Sequence, residues 1–148
     1  MDACVDLAIR CRPGGSLPTD AERSISLLTR ASGSGSPVAA YQLGVTSHKG
    51  LGAPVDLDFA SHQYQRGCER DYEPACYDLG ILLTQGEVPV EGETAGRAFM
   101  ASCGMGNAAA CLNVTSLIEY GLYTPPESHT IASLKARACE LAPEDACD

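Results

Sequence analysis

The residues with the most chemical potential in this sequence are eight cysteines, three histidines and nineteen carboxylates. A zinc site needs four soft or imidazole ligands brought together. There is no Cys-x-x-Cys pair, and His48, His62 and His129 stand 14 and 67 positions apart, so they cannot form His-Glu-x-x-His. Haem or copper would have to draw on Cys4 and Cys11, a histidine, Met100 or Met105. Thr46-Ser47-His48-Lys49 puts a hydroxyl three positions before Lys49, as in a Ser/Lys nucleophile pair. That residue is Thr46, however, and no Ser-Asp-Asn or Lys-Thr-Gly follows, so the run reads as the polar end of a helix. Gly104-Met105-Gly106 lacks the Lys-Ser/Thr of a phosphate loop. Glu69, Asp71 and Glu73 form an acidic turn that reads as a solvated rim, with recognition of a basic peptide as its functional counterpart. No catalytic residue is assigned, the chain reads as a non-enzyme, and no metal or cofactor is predicted.

The cysteines instead mark a period. Cys68 and Cys76, Cys103 and Cys111, and Cys139 and Cys147 are each eight positions apart, and both members recur every 35 or 36 residues. Such self-similarity is the signature of a repeat array. The flanks agree: Ala75-Cys76-Tyr77-Asp78-Leu79-Gly80 echoes Ala39-Ala40-Tyr41-Gln42-Leu43-Gly44. Ser32 and Ala40 therefore occupy the cysteine register of a further turn without the cysteines. The run Ser32-Gly33-Ser34-Gly35-Ser36-Pro37 looks like a linker in isolation. In register it is a turn between helices.

Each period holds two helical patterns. One starts near Pro37, Pro74 or Asn107, with Leu79, Leu82 and Leu83 giving an i, i+3, i+4 face. Leu43, Val114, Leu117 and Ile118 serve the same way in neighbouring periods. The other covers 20–30, 56–67, 91–102 and 128–137, where Ser24, Ala60, Ala95 and Ala132 are small enough for close helix approach. Asp20 and Asp56 suit helix starts, and Gly50, Gly52, Gly86 and Gly121 punctuate the connections. One helix pair of this size cannot bury a core alone, so neighbours must cover each other. The expected fold is an all-alpha, alpha/alpha solenoid occupying 1–148 as a single domain. It divides into a shortened leading unit 1–31, repeat units 32–67, 68–102 and 103–138, and a truncated terminal unit or cap, 139–148.

Each Cys-x7-Cys then staples a turn between helices, pairing Cys68 with Cys76, Cys103 with Cys111 and Cys139 with Cys147. A loop of this size contributes roughly 2.5 kcal/mol on the chain-entropy account. Cys4 and Cys11 are seven apart and fall outside the scheme. One straight helix would hold them about 10 Å apart, beyond the roughly 7 Å that a disulfide spans between alpha carbons. Either that helix breaks or the two do not pair. Pro13-Gly14-Gly15 offers a stop only after Cys11.

Ten basic and nineteen acidic residues give a formal charge of −9, which argues against nucleic acid and anionic lipid as partners. Nothing approaches the roughly 18 uninterrupted apolar residues of a membrane span, and the N-terminus does not read as a secretory signal. The even number of cysteines in regular pairs suits an oxidising compartment. Tyr41 and Tyr77 recur 36 positions apart, followed by Gln42 and Asp78, while Asn113 follows Leu112 in the next period. Tyr64, Tyr72, Tyr120 and Tyr123 are further recognition groups, although tyrosines at repeat spacing more often pack. The partner-recognition candidates are Tyr41, Gln42, Tyr77, Asp78 and Asn113.

The runs Gly67-Cys68-Glu69-Arg70-Asp71-Tyr72-Glu73-Pro74-Ala75-Cys76-Tyr77-Asp78-Leu79-Gly80 and Cys103-Gly104-Met105-Gly106-Asn107-Ala108-Ala109-Ala110-Cys111, at this period, resemble the cysteine-rich Sel1-like repeat family. The resemblance covers about residues 20–148. It implies TPR-related alpha/alpha repeats stapled by local disulfides, and an adaptor or scaffold that binds a protein or peptide, here one with a basic surface. Periplasmic or secreted placement follows, with the mitochondrial intermembrane space as the alternative. Some members resemble a haem-binding respiratory assembly factor, and others penicillin-binding or beta-lactam-processing proteins. These are the alternative functions, and no residue here maps onto a known active site. The sequence says nothing about oligomeric state.

Overall fold

The computed structural model describes residues 3–11, 20–85 and 91–147, apart from the side chains of Cys4 and Cys11. Pro13-Gly14-Gly15, Gly86 and any pairing of Cys4 with Cys11 lie outside the described residues. The described chain is helical, with no strand among those residues. It forms two compact units, Met1–Ala75 and Cys76–Asp148.

The first unit holds α1 (Ala3–Cys11), α2 (Ala21–Gly33), α3 (Pro37–Lys49) and α4 (Leu57–Cys68). The backbone of α1 runs unbroken across both Cys4 and Cys11. The Gly/Ser-rich run is a turn between α2 and α3, as its register implies. Ser36 caps α3 by accepting a hydrogen bond from the Ala39 N–H at 3.2 Å, and Pro37 supplies the fixed φ of the first helical residue. Asp20 and Asp56 accept from the Arg23 and Phe59 N–H groups, each at 2.9 Å, and so start α2 and α4. Val5, Ala8, Leu28, Ala39 and Leu43 form a buried cluster where α1, α2 and α3 meet. Small residues set the approach of the helices: the Ser24 hydroxyl donates to the Ala8 carbonyl at 2.7 Å. Gly44 lies so close to the Tyr64 ring that a Cβ there would stand 2.5 Å from it.

The second unit holds the remainder of α5 (Glu73–Thr84), then α6 (Gly92–Gly104), α7 (Ala108–Glu119), α8 (Ile131–Leu141) and the short α9 (Pro143–Ala146). Leu79, Leu82 and Leu83 are buried, matching the apolar face read from their spacing. Asn107 caps α7 by accepting from the Ala110 N–H at 2.9 Å, and Thr130 with Ser133 forms a reciprocal capping box on α8. Of the small residues near the start of each first helix, Ser24, Ala60 and Ala95 are buried. Ala132 is exposed, because α8 turns Leu134 and Ala138 inward instead. The second helices of successive pairs begin at 37, 73, 108 and 143, which makes the period visible in the fold.

Cys103 is bonded to Cys111 and Cys139 to Cys147, with alpha carbons 4.8 and 4.6 Å apart. Each bond ties the last turn of one helix to the start or end of the helix that follows. Cys68 and Cys76 are also disulfide-bonded. Ser32 and Ala40, in the same register without cysteines, are each 2% exposed, so the missing staple is replaced by close packing of small side chains. A second periodic device accompanies these turns. Arg66 donates from Nη2 to the Ser32 carbonyl at 3.1 Å, and Arg137 donates from Nε to the Cys103 carbonyl at 3.2 Å, both across 34 positions. In each case a guanidinium satisfies a carbonyl at the C-terminal end of an earlier helix, where such groups lack intrahelical partners.

Candidate recognition grooves

The second helix of each pair carries the five recognition candidates, and they do not behave alike. Tyr41 on α3 packs its ring 5.8 Å from Tyr64 and 5.4 Å from Tyr72. Tyr77 on α5 sits edge-on to Phe99 at 6.0 Å. Both rings are half-buried and belong to packing clusters. Gln42 and Asp78 are half-buried too, and the Gln42 carbonyl accepts from the Thr46 hydroxyl at 2.8 Å. Asn113 on α7 lines a groove, and its carboxamide makes no hydrogen bond among the described residues. Tyr41 and Gln42 lie in the first unit; Tyr77, Asp78 and Asn113 lie in the second.

The histidines and the hydroxyl–lysine run have ordinary structural places. His48 Nδ1 is 3.2 Å from the hydroxyl of the buried Tyr64. His62 is exposed, and His129 Nδ1 is 2.9 Å from the hydroxyl of its neighbour Ser128. Thr46 spends its hydroxyl on the Gln42 carbonyl, away from Lys49. The described residues contain no group of three His, Cys, Asp or Glu side chains able to hold a metal ion. No helix among them is long and apolar enough to cross a membrane.

Among the described residues, each unit has a shallow groove. In the first, about 370 Å³ is bounded by Ile25 and Thr29 of α2, Leu43, Thr46 and Ser47 of α3, the stretch 53–56, and Phe59 of α4. Gly50 ends α3 in the left-handed region at φ 67°, and the Asp56 N–H donates to the Ser47 carbonyl at 3.0 Å, which fastens that connection beside the helix. Thr29 and Thr46 return their hydroxyls to carbonyls of their own helices, which leaves Ser47 and Asp56 as the other polar residues of a mainly apolar lining. Val55 and Phe59 remain 59% and 42% exposed at its edge.

In the second unit, about 330 Å³ is bounded by Ile81 and Thr84 of α5, Phe99 of α6, Asn113, Ser116 and Leu117 of α7, and the following Tyr120 and Leu122. Tyr120 is 80% exposed and Leu122 44%. Thr84 and Ser116 donate to carbonyls of their own helices, which leaves Asn113 as the polar group with spare capacity. Acidic residues adjoin this lining along the chain. Glu119 adjoins Tyr120 and pairs with Lys135 at 3.0 Å. Glu93 accepts from the Thr124 N–H at 3.2 Å. Gly92, between Glu91 and Glu93 in the chain, packs directly on the Leu122 main chain. Behind them, Tyr123 is buried with its ring on Gly96. Burial, and then the charge of Glu93, raise its hydroxyl above the ordinary 10.0, with Arg97 opposing.

Tyr120 and Asn113 are legible in the sequence, as one of the tyrosines and as part of the polar stripe, whereas Val55, Phe59 and Leu122 are not. Val55 and Leu122 lie in connections, where no helical period marks them; Leu122 directly follows Gly121, and Val55 stands three positions after Gly52. Phe59 sits in the first turn of α4, on the side away from the buried Ala60 and Tyr64.

The fold is the alpha/alpha solenoid type of Sel1-like, TPR-related repeats, stapled by local disulfides. The chain is similar to the crystal structure of a Sel1 repeat protein from Oxalobacter formigenes, with a TM-score of 0.74 and 18% identity over 86% of this chain and 53% of that one. It is equally similar, at TM-score 0.74 and 22% identity, to a protective antigen present in uropathogenic Escherichia coli strains that displays an SLR fold. That match covers 93% of this chain and 30% of the antigen. The chain thus spans about half of one of these proteins and less than a third of the other. No family model and no curated protein matches it.

Proposed function

We propose that this chain is a polypeptide-recognition module, an adaptor or scaffold rather than a catalyst. One observation carries the reading. Each unit leaves apolar side chains exposed at the lip of a groove on an otherwise well-packed helix pair: Val55 and Phe59 in the first, Tyr120 and Leu122 in the second. Exposed aromatic and aliphatic groups beside a concavity are typical of interaction surfaces. Proteins of this repeat fold generally act as protein-interaction scaffolds, which supports the same reading.

Of the five sequence candidates, Asn113 is the one whose position serves recognition directly. Tyr41 and Tyr77 serve it by fixing the helices, and Gln42 and Asp78 are polar neighbours on the same helices. The repeat units are 32–67, 68–102 and 103–138, preceded by 1–31 and followed by 139–148, in keeping with the even spacing of the second helices. The partner carries a basic surface. Structural disulfides point to an oxidising compartment, and within that class the periplasm or the exterior is the proposed location. The test is cross-linking of the oxidised protein in extract of its own compartment, beside a Phe59→Ser/Tyr120→Ser variant. Specific polypeptides should be enriched by the native chain and lost from the variant. No polypeptide enriched over the variant would overturn the proposal.

A further inference from the structure

The two grooves differ in electrostatic setting. Residues 76–148 contain ten of the nineteen acidic side chains but three of the ten basic ones, whereas residues 1–75 contain nine and seven. The three bases of the second unit are engaged within it. Arg97 donates to the Glu93 carbonyl at 3.4 Å, Lys135 pairs with Glu119, and Arg137 donates to the Cys103 and Gly104 carbonyls. The acids outnumber them, and three adjoin the groove through their chain neighbours: Glu119 precedes Tyr120 and is paired with Lys135, while Glu91 and Glu93 flank the Gly92 that packs on the Leu122 main chain, with Glu93 also accepting from the Thr124 N–H. Asp78 lies one helical turn before Ile81 on α5, on the same side of the helix. An apolar cleft in a unit whose net charge is of one sign selects by charge complementarity and raises the encounter rate of the opposite sign.

Within the cleft, the donor and acceptor of the Asn113 carboxamide are both uncommitted among the described residues. A partly buried amide without a partner offers two hydrogen bonds to an extended main chain, which presents a carbonyl and an N–H. Tyr120, at 80% exposure, is a large amphipathic surface free to fold over a bound apolar side chain. From these observations we infer that the Asn113–Tyr120 groove of the second unit docks a polypeptide segment whose apolar anchor is flanked by lysine or arginine. Asn113 pairs with the segment's main chain, Tyr120 and Leu122 cover the anchor, and the negative net charge of the unit attracts the flanking cations. This deepens the proposed recognition function and rests on it, but it commits to one groove and one partner chemistry.

The probes are three pools of synthetic peptides added to the full oxidised chain, followed by NMR and by affinity titration. One pool has a Leu or Phe centre flanked by Lys/Arg, one has the same centre flanked by Asp/Glu, and one has Lys/Arg flanks with a Gly-Ser centre. The first pool should shift the Asn113 carboxamide and Leu122 methyl signals and bind at least about tenfold more tightly than either of the others. Its affinity should fall as salt is added. Tyr120→Ser, at a site too exposed to threaten folding, should weaken binding about tenfold, and Asn113→Ala about fivefold. Equal binding by the acidic-flanked pool, or shifts confined to residues around Phe59, would overturn the inference while leaving polypeptide recognition standing. If no pool engages any part of the chain and cross-linking also finds no partner, both fail.

Discussion

Removing the staples one at a time separates two contributions that the fold combines. Cys103–Cys111 and Cys139–Cys147 close loops of the same sequence separation, eight. On chain entropy alone, a double change to alanine at either site costs about 2.5 kcal/mol. Their surroundings are not the same. Cys103 and Cys111 are 2% and 0% exposed, so losing two buried sulfurs adds about 1 kcal/mol each, on the scale of a buried methylene. The helix beyond the other staple, α9, has four residues and none of them buried. When that staple is cut, α9 can detach without exposing core, and the cost stays below about 1 kcal/mol. Cys103→Ala/Cys111→Ala should therefore lose about 4 kcal/mol, and Cys139→Ala/Cys147→Ala under about 1 kcal/mol. The assay is equilibrium urea unfolding followed by far-ultraviolet circular dichroism, since the chain contains no tryptophan. Equal losses at the two sites would refute the claim that burial, beyond loop closure, distinguishes these bonds.

The same contrast sets an order of reduction. With limiting dithiol, alkylation and peptide mass mapping should find Cys139 and Cys147 labelled before Cys103 and Cys111, because Cys147 is exposed and the inner pair is buried; the reverse order would contradict it. Three glycines form a graded series. A Cβ at Gly80 or Gly44 would press on the Phe99 or Tyr64 ring at about 2.5 Å, so Gly80→Ala and Gly44→Ala should each cost about 1–3 kcal/mol. Gly104→Ala meets nothing within 4 Å and should be neutral or stabilising by up to about 1 kcal/mol in the same urea assay. Finally, Tyr123 releases its proton later in the folded chain than in the unfolded one. Its contribution to stability is complete below pH 10.0 and declines as pH rises from there toward the folded-state value. Stability of the native chain and of Tyr123→Phe should therefore converge or cross above that pH, and parallel curves would show that the shift is absent.

Much of the fold is legible in the sequence because repetition averages out local ambiguity. The Gly/Ser run before Pro37 has the composition of a linker, yet its place in the register makes it a turn, and Ser36 caps the helix that follows. Leu79, Leu82 and Leu83 announce a buried face by spacing alone, since a helix brings every third or fourth residue to one side. The grooves were less legible. Asn113 stood out through its repeat position, but nothing local shows that its amide lacks a partner, which depends on what neighbouring helices bring to it. Tyr41 and Tyr77 look like equals of Tyr120 in composition. Only packing separates two tyrosines held against neighbouring rings from one left at 80% exposure.

The helix-pair period, the cysteine register and the excess of acid over base follow from residue type and spacing along the chain. Tertiary structure decided which apolar side chains remain uncovered, which carboxylates gather beside them, and which staple is sealed in the core. Those outcomes depend on distances between residues up to 34 positions apart, as in the arginine contacts to Ser32 and Cys103. Burial is a property of neighbours in space, and a linear pattern records only the face a residue would present, not what comes to cover it.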